Sequence, residues 1–358
     1  MTSFLFPSTQ TAIISVDEAG SLKITDNVPV IDLEPDAVLI HTAALALNPV
    51  DTKMLHGFAC PGAILGFDFA GTIVAVGSAV MRPLKPGDRV CGSADGMNRN
   101  RPSGGAFAEY TSCPASLVVR IPADMPFTDA AGLGTSLASA GLALFRSLQI
   151  PGSLERPADR PIYVLINGGS TGTGTMAIQL LRRCNLRPIV TCSPEHVELV
   201  TSYGAEKAFD YHSPTCAQDI RAYTRNALSF AVDCITQPST MKLCYDAIGR
   251  AGGRYVALDP FPESENTRRV VKPDWILATS VTGQGCSWPT PYGRDGDPKI
   301  RAWAEGFFAE VQQLIEAGQI RSHPVRVSPG GLSGIFDGIE AIRRKEVRGF
   351  KLVYPIEW

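Results

Sequence analysis

Between residues 162 and 184 the chain changes its period twice. Ile162 to Ile166 is a short run of apolar, β-favouring residues. Gly168, Gly169, Gly172 and Gly174 crowd the positions that follow, and Ala177, Leu180, Leu181 and Cys184 then recur at helical spacing. A strand that turns through glycines into a helix is the backbone a dinucleotide needs. Glycines allow positive φ and a close approach. The helix start offers unpaired N–H groups and a partial positive charge to a pyrophosphate. A second apolar run, Pro188 to Cys192, follows one helix later. Chains that bind NAD carry an acid about 20 residues after the glycines, for the ribose 2′-hydroxyl. Here that position reads Cys192-Ser193-Pro194, with Glu195 close by. Ser193 and His196 can hydrogen-bond a 2′-phosphate, and no acid at the strand end repels it, so NADPH is expected rather than NADH. Ser193 also suits a helix N-cap.

At 358 residues two domains are expected. A composition of 44% hydrophobic and 19% charged residues excludes a disordered chain. With 33 basic and 35 acidic residues there is no electrostatic case for nucleic acid or an anionic membrane. No run of about 18 apolar residues is free of charge, so no membrane span is expected. The opening MTSFLFPSTQTAII lacks a basic region and a long apolar core, which argues against a signal peptide and for a cytoplasmic chain. The nine cysteines are odd in number and none is spaced CxxC, and several sit in apolar runs. They read as reduced and buried, with no structural zinc.

Residues 1 to 155 read as short strands: Ala37 to Leu47, Gly71 to Val76, Arg89 to Cys91 after the turn Pro86-Gly87-Asp88, and Gly104 to Tyr110. That spacing predicts a small, irregular β barrel. Pro126 to Leu148 is Ala/Leu-rich and predicts a helix, and its Gly132 to Ser136 segment could line a cleft. Apolar runs at 162–166, 188–192, 207–211, 229–235 and 254–258 alternate with helix-like stretches, which predicts a parallel sheet covered on both faces. Residues 300–317 carry an amphipathic stripe of Trp303, Phe307, Val311 and Leu314. Ser333 to Arg344 carries another, of Ile335, Ile339 and Ile342, and Lys351 to Tyr354 is a closing strand.

Several of these segments resemble the zinc-free branch of the medium-chain dehydrogenase/reductase superfamily. Asn48 to Lys53 matches its NPxDxK element, and Gly66 to Ile73 matches its G-x-D-x-A-G-x-V segment. Gly87 to Val90, Gly105 to Tyr110 and Ser170 to Gly174 match further elements; Thr171 and Thr173 depart, where relatives often carry Gly and Val. Thr191 to Pro194, Phe209 to Tyr211, Ala231 to Thr236, Ala247 to Tyr255 and Trp288 to Arg294 extend the likeness. Over nearly the whole chain it is similar to the fungal trans-acting enoyl reductases that serve highly reducing polyketide synthases, such as the lovastatin type.

The resemblance implies an α/β chain with a GroES-like, β-rich catalytic domain built from residues 1–155 and 300–358. Residues 156–299 would form a Rossmann domain with a doubly wound parallel sheet. It implies a monomer. NADPH contacts would fall on Val50, Asp51, Thr52 and Lys53, on Ser170, Thr171, Gly172 and Thr173, and on Ser193, Pro194, Glu195 and His196. Tyr211, Leu258, Asp259, Val347 and Arg348 complete that set. Substrate contacts would fall on Leu133, Gly134, Thr135, Ser136, Leu137, Ala138, Ser139 and Ala140, and on Ser280, Val281, Thr282, Gly283 and Gln284.

Metal-dependent members of the superfamily hold their ion with a cysteine, a His-Glu pair and a second cysteine. Asn48 and Phe67-Asp68 stand at the first two places, and phenylalanine cannot ligate zinc, so no metal is expected. Hydride transfer by the cofactor remains. For an enoyl thioester the hydride goes to the β-carbon, charge gathers on the thioester oxygen, and a proton must reach the α-carbon. Lys53 and Asn48 are the candidate catalytic residues. Lys53 would hold the cofactor or stabilise the enolate, unless it is a solvated lysine; Asn48 would position the nicotinamide, unless it only turns the chain before Pro49. Asp51 and Asp68 read as structural, bonded to nearby backbone. Thr135 and Ser136 either donate to substrate or only pack. Tyr211 would stack on adenine or reach the 2′-phosphate. The expected function is a trans-acting enoyl reductase working on the acyl carrier protein of a partner polyketide synthase. A stand-alone quinone or alkenal reductase, or a non-catalytic synthase partner, are the alternatives.

Overall fold

The computed structural model describes residues 7–358. The first six residues, part of the segment read as no signal peptide, lie outside that range. Contacts divide the chain into two units: residues up to Thr135 together with Thr279–Trp358, and Ser136–Ala278.

The first unit is β-rich. Its main sheet has seven strands, of which six run in the order Val325–Val327, Lys351–Pro355, Ala37–Ala46, Asp68–Val76, Arg89–Ser93 and Val119–Arg120. Ala37–Ala46 is its centre. One edge pairs along its length with Asp68–Val76; the other is shared by Tyr110–Pro114 at the start and Lys351–Pro355 at the end. Register shifts at Leu39/Ile40 and Thr42/Ala44 bend it, as a curved sheet requires. A hairpin of Thr9–Ser15 and Leu22–Pro29 stands apart from this sheet. The strand expected at Gly104 to Tyr110 begins only at Tyr110. A Cβ on Gly105 would lie 2.3 Å from the Ile64 carbonyl oxygen, and the Ala106 and Phe107 N–H groups bond the Gly66 and Leu65 carbonyls there without forming a regular strand.

Helix Pro298–Glu316 buries Ala304, Phe307, Phe308, Val311, Gln312 and Ile315, so its inner face is turned from the expected stripe and leaves Trp303 and Leu314 half-buried. The buried Gln312 amide behaves like a piece of strand: its oxygen accepts the Arg120 N–H at 2.7 Å and its nitrogen donates to the Arg120 carbonyl at 2.9 Å. Helix Gly331–Arg343 packs on strand Lys351–Pro355 and on the short helix Pro49–Lys53.

The second unit holds six parallel strands in the order Lys207–Asp210, Arg187–Cys192, Tyr163–Asn167, Phe230–Asp233, Gly253–Ala257 and Val271–Trp275. Counted by appearance this is 3-2-1-4-5-6, the doubly wound order, which reverses beside Tyr163–Asn167. Leu165, Ile189, Ala231 and Tyr255 from the sheet and Ile220, Met241 and Cys244 from the helices form its core. Five strands match the expected runs. The sixth, Val271–Trp275, carries Pro273 and alternating charges, and it lies at the sheet edge, where a missing N–H does no harm. The Ala/Leu-rich segment forms helices Phe127–Ala130 and Gly134–Gly141 and a π-helical turn, Leu142–Ser147. That turn packs on Gly253–Ala257 and Val271–Trp275, so this unit runs from residue 136 to 278, where the sequence suggested 156 to 299.

Among the described residues no helix is long and apolar enough to cross a membrane. All nine cysteines are free thiols; seven are buried, and Cys60 and Cys234 are half-buried. Burial pushes the Cys113 and Cys234 thiols up to about 12 and those of Cys192 and Cys216 up to about 11. Cys91, Cys244 and Cys286 are raised for the same reason.

A Cβ on Gly71 would lie 2.2 Å from the His41 carbonyl oxygen on the paired central strand. Gly71→Ala is therefore expected to cost about 1–3 kcal/mol, read as a lower urea midpoint with unchanged m-value. An unchanged midpoint would mean that the strands part freely to admit a methyl group.

Candidate active site

In the β-rich unit the candidate residues gather around one carboxylate. Helix Pro49–Lys53 is little more than a turn. Pro49 presets its first φ, and Asp51 at the third position accepts the Asn48 N–H at 2.6 Å. Asp51 has no exposed surface, and its Oδ1 has no hydrogen-bond partner. Burial pushes its carboxyl well above the usual range against the Asn48 bond, and the neighbouring Asp68 charge adds to the rise.

Asp68, also fully buried, accepts from the Asn48 amide at 3.0 Å on Oδ2 and from the Thr135 N–H and hydroxyl at 2.7 Å each on Oδ1. Its fourth donor is the Lys351 ammonium, on Oδ2. Those partners stand 20, 67 and 283 positions away, where the sequence reading expected nearby backbone. The hydroxyl proton of Thr135 is spent on Asp68, so the contact at 3.0 Å to Ser93 has Ser93 as donor. Lys351 is only 6% exposed and also reaches the Gly132 carbonyl at 3.5 Å. The sequence reading took it only as the start of the closing strand. A lysine leading the apolar run Leu352-Val353-Tyr354 into a central sheet position was the signal available.

The other candidates in this unit are engaged locally. Lys53 is exposed at the end of its helix, Val50 is half-buried, and the Thr52 hydroxyl donates to the Pro49 carbonyl. Leu133 and Gly134 are buried; a Cβ on Gly134 would lie 2.2 Å from the Gly92 carbonyl oxygen. Val347 is half-buried, and Arg348, exposed, donates to the Lys345 carbonyl. The Ser280 to Gln284 segment sits on a 3-10 turn, Ala278–Thr282. Val281 and Thr282 are buried, Gly283 takes positive φ, and the Gln284 side chain joins Arg101 and Glu34.

In the parallel-sheet unit the glycine turn is closed too tightly for side chains. Gly168 has a φ of 81°, a Cβ on Gly169 would meet the Val190 side chain at 2.6 Å, and one on Gly174 would meet the Gly168 carbonyl at 2.4 Å. The Thr171 hydroxyl accepts the Gly174 N–H at 3.0 Å and donates to the Gly168 carbonyl at 2.9 Å. The departure from the usual glycine is thus an N-cap for helix Gly172–Arg183. Ser170 and Thr173 are half-buried beside it. Ser136, Leu137, Ala138, Ser139 and Ala140 are buried along helix Gly134–Gly141, and the Ser136 hydroxyl would lie 3.0 Å from a Cβ on Gly172.

A second buried carboxylate holds this turn. Asp233 accepts from the Asn167 amide at 2.8 Å, the Thr240 hydroxyl at 2.7 Å, the Tyr255 hydroxyl at 2.9 Å and the N–H groups of Ile235 and Thr236. Asn167 in turn accepts from the Thr191 hydroxyl at 2.6 Å, and Thr191 accepts the Gly168 N–H at 3.2 Å. None of this was visible in the sequence. At the next strand end Ser193 is 8% exposed, and its hydroxyl lies 3.2 Å from that of Tyr211. Tyr211 is 44% exposed with its ring tilted over His212. Pro194 and Glu195 are exposed and His196 half-buried on the turn that follows. Leu258 and Asp259 are half-buried after strand Gly253–Ala257, and the Leu258 N–H donates to the Thr236 hydroxyl.

Residues 34–123 match the alcohol dehydrogenase GroES-like domain, and residues 172–298 match the zinc-binding dehydrogenase family. The chain is 57% identical to the trans-enoyl reductase buaC of Petromyces alliaceus over 98% of each chain. It is 49% identical to the trans-enoyl reductase milB of Cordyceps militaris, over 97% of this chain and 98% of that one. The crystal structure of CurK enoyl reductase superposes with a TM-score of 0.72 at 19% identity, over 98% of this chain and 99% of that one. The quinone oxidoreductase of Coxiella burnetii superposes with a TM-score of 0.69 at 21% identity, over 98% and 100%. At such identities the two structures speak for the fold.

The family description names zinc, and these residues do not fit it. Asn48 offers an amide, Phe67 no donor at all, and Asp68 is already paired with an ammonium. Among the described residues no three His, Cys, Asp or Glu side chains gather as a ligand set. A nicotinamide dinucleotide, the cofactor of dehydrogenases and reductases of this kind, does fit: the turn is a cradle that any Cβ would fill, ahead of a capped helix start.

Replacing Asp233 by alanine orphans five donors at once. Asp233→Ala is expected to cost about 3 kcal/mol or more in urea denaturation and to weaken nicotinamide dinucleotide binding, whereas Asp233→Asn keeps one acceptor and loses less. Equal stability of the two variants would show that the network does not hold the turn.

Proposed function

Because the chain belongs to the trans-enoyl reductases of the medium-chain dehydrogenase/reductase superfamily, we propose that it reduces the conjugated double bond of an enoyl thioester with NADPH, the acyl chain being held on the acyl carrier protein of a partner polyketide synthase. The observation that carries this reading is the 57% identity to a trans-enoyl reductase across 98% of both chains. When bound, the nicotinamide supplies a hydride to the β-carbon.

The residues divide the remaining tasks. The N–H groups of Gly172 and Thr173, left over by the Thr171 cap, take the pyrophosphate. The paired hydroxyls of Ser193 and Tyr211 take the 2′-phosphate, with the Asp210 carboxylate beside that strand end turned to the His212 N–H. Lys53 brings a positive charge from the exposed end of its helix, either to the cofactor or to the oxygen where enolate charge gathers. Asn48 fixes the start of that helix. Thr135, its proton spent on Asp68, does not donate to the enolate.

Purified chain mixed with NADPH and a crotonyl-pantetheine thioester is expected to consume NADPH, followed at its absorbance band. No consumption with any carrier- or pantetheine-linked enoyl chain rejects the reading, and faster turnover of free enones would favour a stand-alone alkenal reductase. Ser193→Ala is expected to raise KM for NADPH about tenfold and to leave KM for NADH unchanged; an equal effect on both removes the 2′-phosphate assignment. Lys53→Met separates the two tasks of Lys53. A higher KM for NADPH at unchanged kcat places it on the cofactor, and a lower kcat places it on the enolate.

A further inference from the structure

Asp68 joins two segments of the β-rich unit. Asn48 opens the helix that ends in Lys53, and Thr135 stands in the first turn of helix Gly134–Gly141. The carboxylate divides its oxygens between them, Oδ1 for Thr135 and Oδ2 for Asn48 and Lys351. Only an anion can accept from all four donors; a protonated carboxyl would turn a donor of its own toward donors. An anion with no exposed surface is held by hydrogen bonds, and a cation beside it offsets the cost of its burial. Two other ionisable groups feel this charge. Asp51 on helix Pro49–Lys53 and Cys91 on strand Arg89–Ser93 are both pushed up, chiefly by burial and further by Asp68. Lys351, from the closing strand, is the cation bonded to Asp68.

We propose that Lys351 is a positioning residue of the reductase: by pairing with the Asp68 carboxylate it fixes the Asn48 side chain and the Thr135 hydroxyl, and with them the segments expected to face cofactor and substrate. This rests on the enoyl reductase reading above. Lys351 is buried, with its ammonium bonded to Asp68. Its influence passes through Asp68 to the aim of two other side chains, and misplacement on the scale of an ångström is enough to slow a transfer step.

The test is Lys351→Met, similar in length and without charge, assayed with NADPH and crotonyl-pantetheine beside the wild type. The expected result at pH 7 is a kcat lower by about 10- to 100-fold, with the Kd for NADPH, read by its fluorescence, within about twofold of wild type.

A wild-type chain that leaves the thioester untouched overturns both readings. A wild type that reduces it beside a Lys351→Met variant with the same kcat overturns this one alone, as does a slower variant whose Kd for NADPH has risen in proportion. If Lys351→Met does not fold by circular dichroism, Lys351→Met with Asp68→Asn decides, since neither charge then remains. That double variant is expected to fold, to bind NADPH and to be slow; a wild-type rate from it overturns the proposal.

Discussion

A carboxylate taken out of water must find its hydrogen bonds, and a partner for its charge, inside the protein. Each unit of this chain is arranged around one such group, and the two meet the demand differently. Asp68 takes a cation, Lys351, from the far end of the chain. Asp233 takes five uncharged donors from close by along its own sheet and the helix after it. The first solution ties together segments that the chain order separates; the second makes a rigid floor beneath a turn.

The difference explains why one functional half was more legible than the other. The glycine turn is written locally: its strand, glycines and helix are consecutive, so spacing alone gave their order, although the Thr191 and Asp233 contacts that hold it come from farther along the chain. Even the Thr171 departure became intelligible once its hydroxyl was seen capping the helix. The alternation that follows predicted five parallel strands, and the sixth escaped because Pro273 and its charged neighbours read as loop. Its edge position removes the objection to proline, and edge position is not written in a sequence.

Asp68 illustrates the opposite case. Sequence reasoning could weigh an aspartate in a strand only against its neighbours, and so assigned it to nearby backbone. Its partners came from three separate segments. Thr135 likewise looked free to serve a substrate until the fold gave its one proton to Asp68. Polar residues whose meaning depends on which strand closes the sheet stay silent until the topology is known. Apolar periodicity does not, although helix Pro298–Glu316 shows that even a correct stripe leaves its rotation open. There the buried face includes Gln312, a polar residue recruited to finish the sheet edge at Arg120.

The free thiols gain a meaning from the proposed chemistry. A conjugated thioester is an electrophile at the same β-carbon that receives the hydride, and sulfur anions add to such carbons readily. Seven of the nine cysteines are held by burial in the form that does not add. Burial thus keeps those seven sulfurs from competing with the hydride for that carbon.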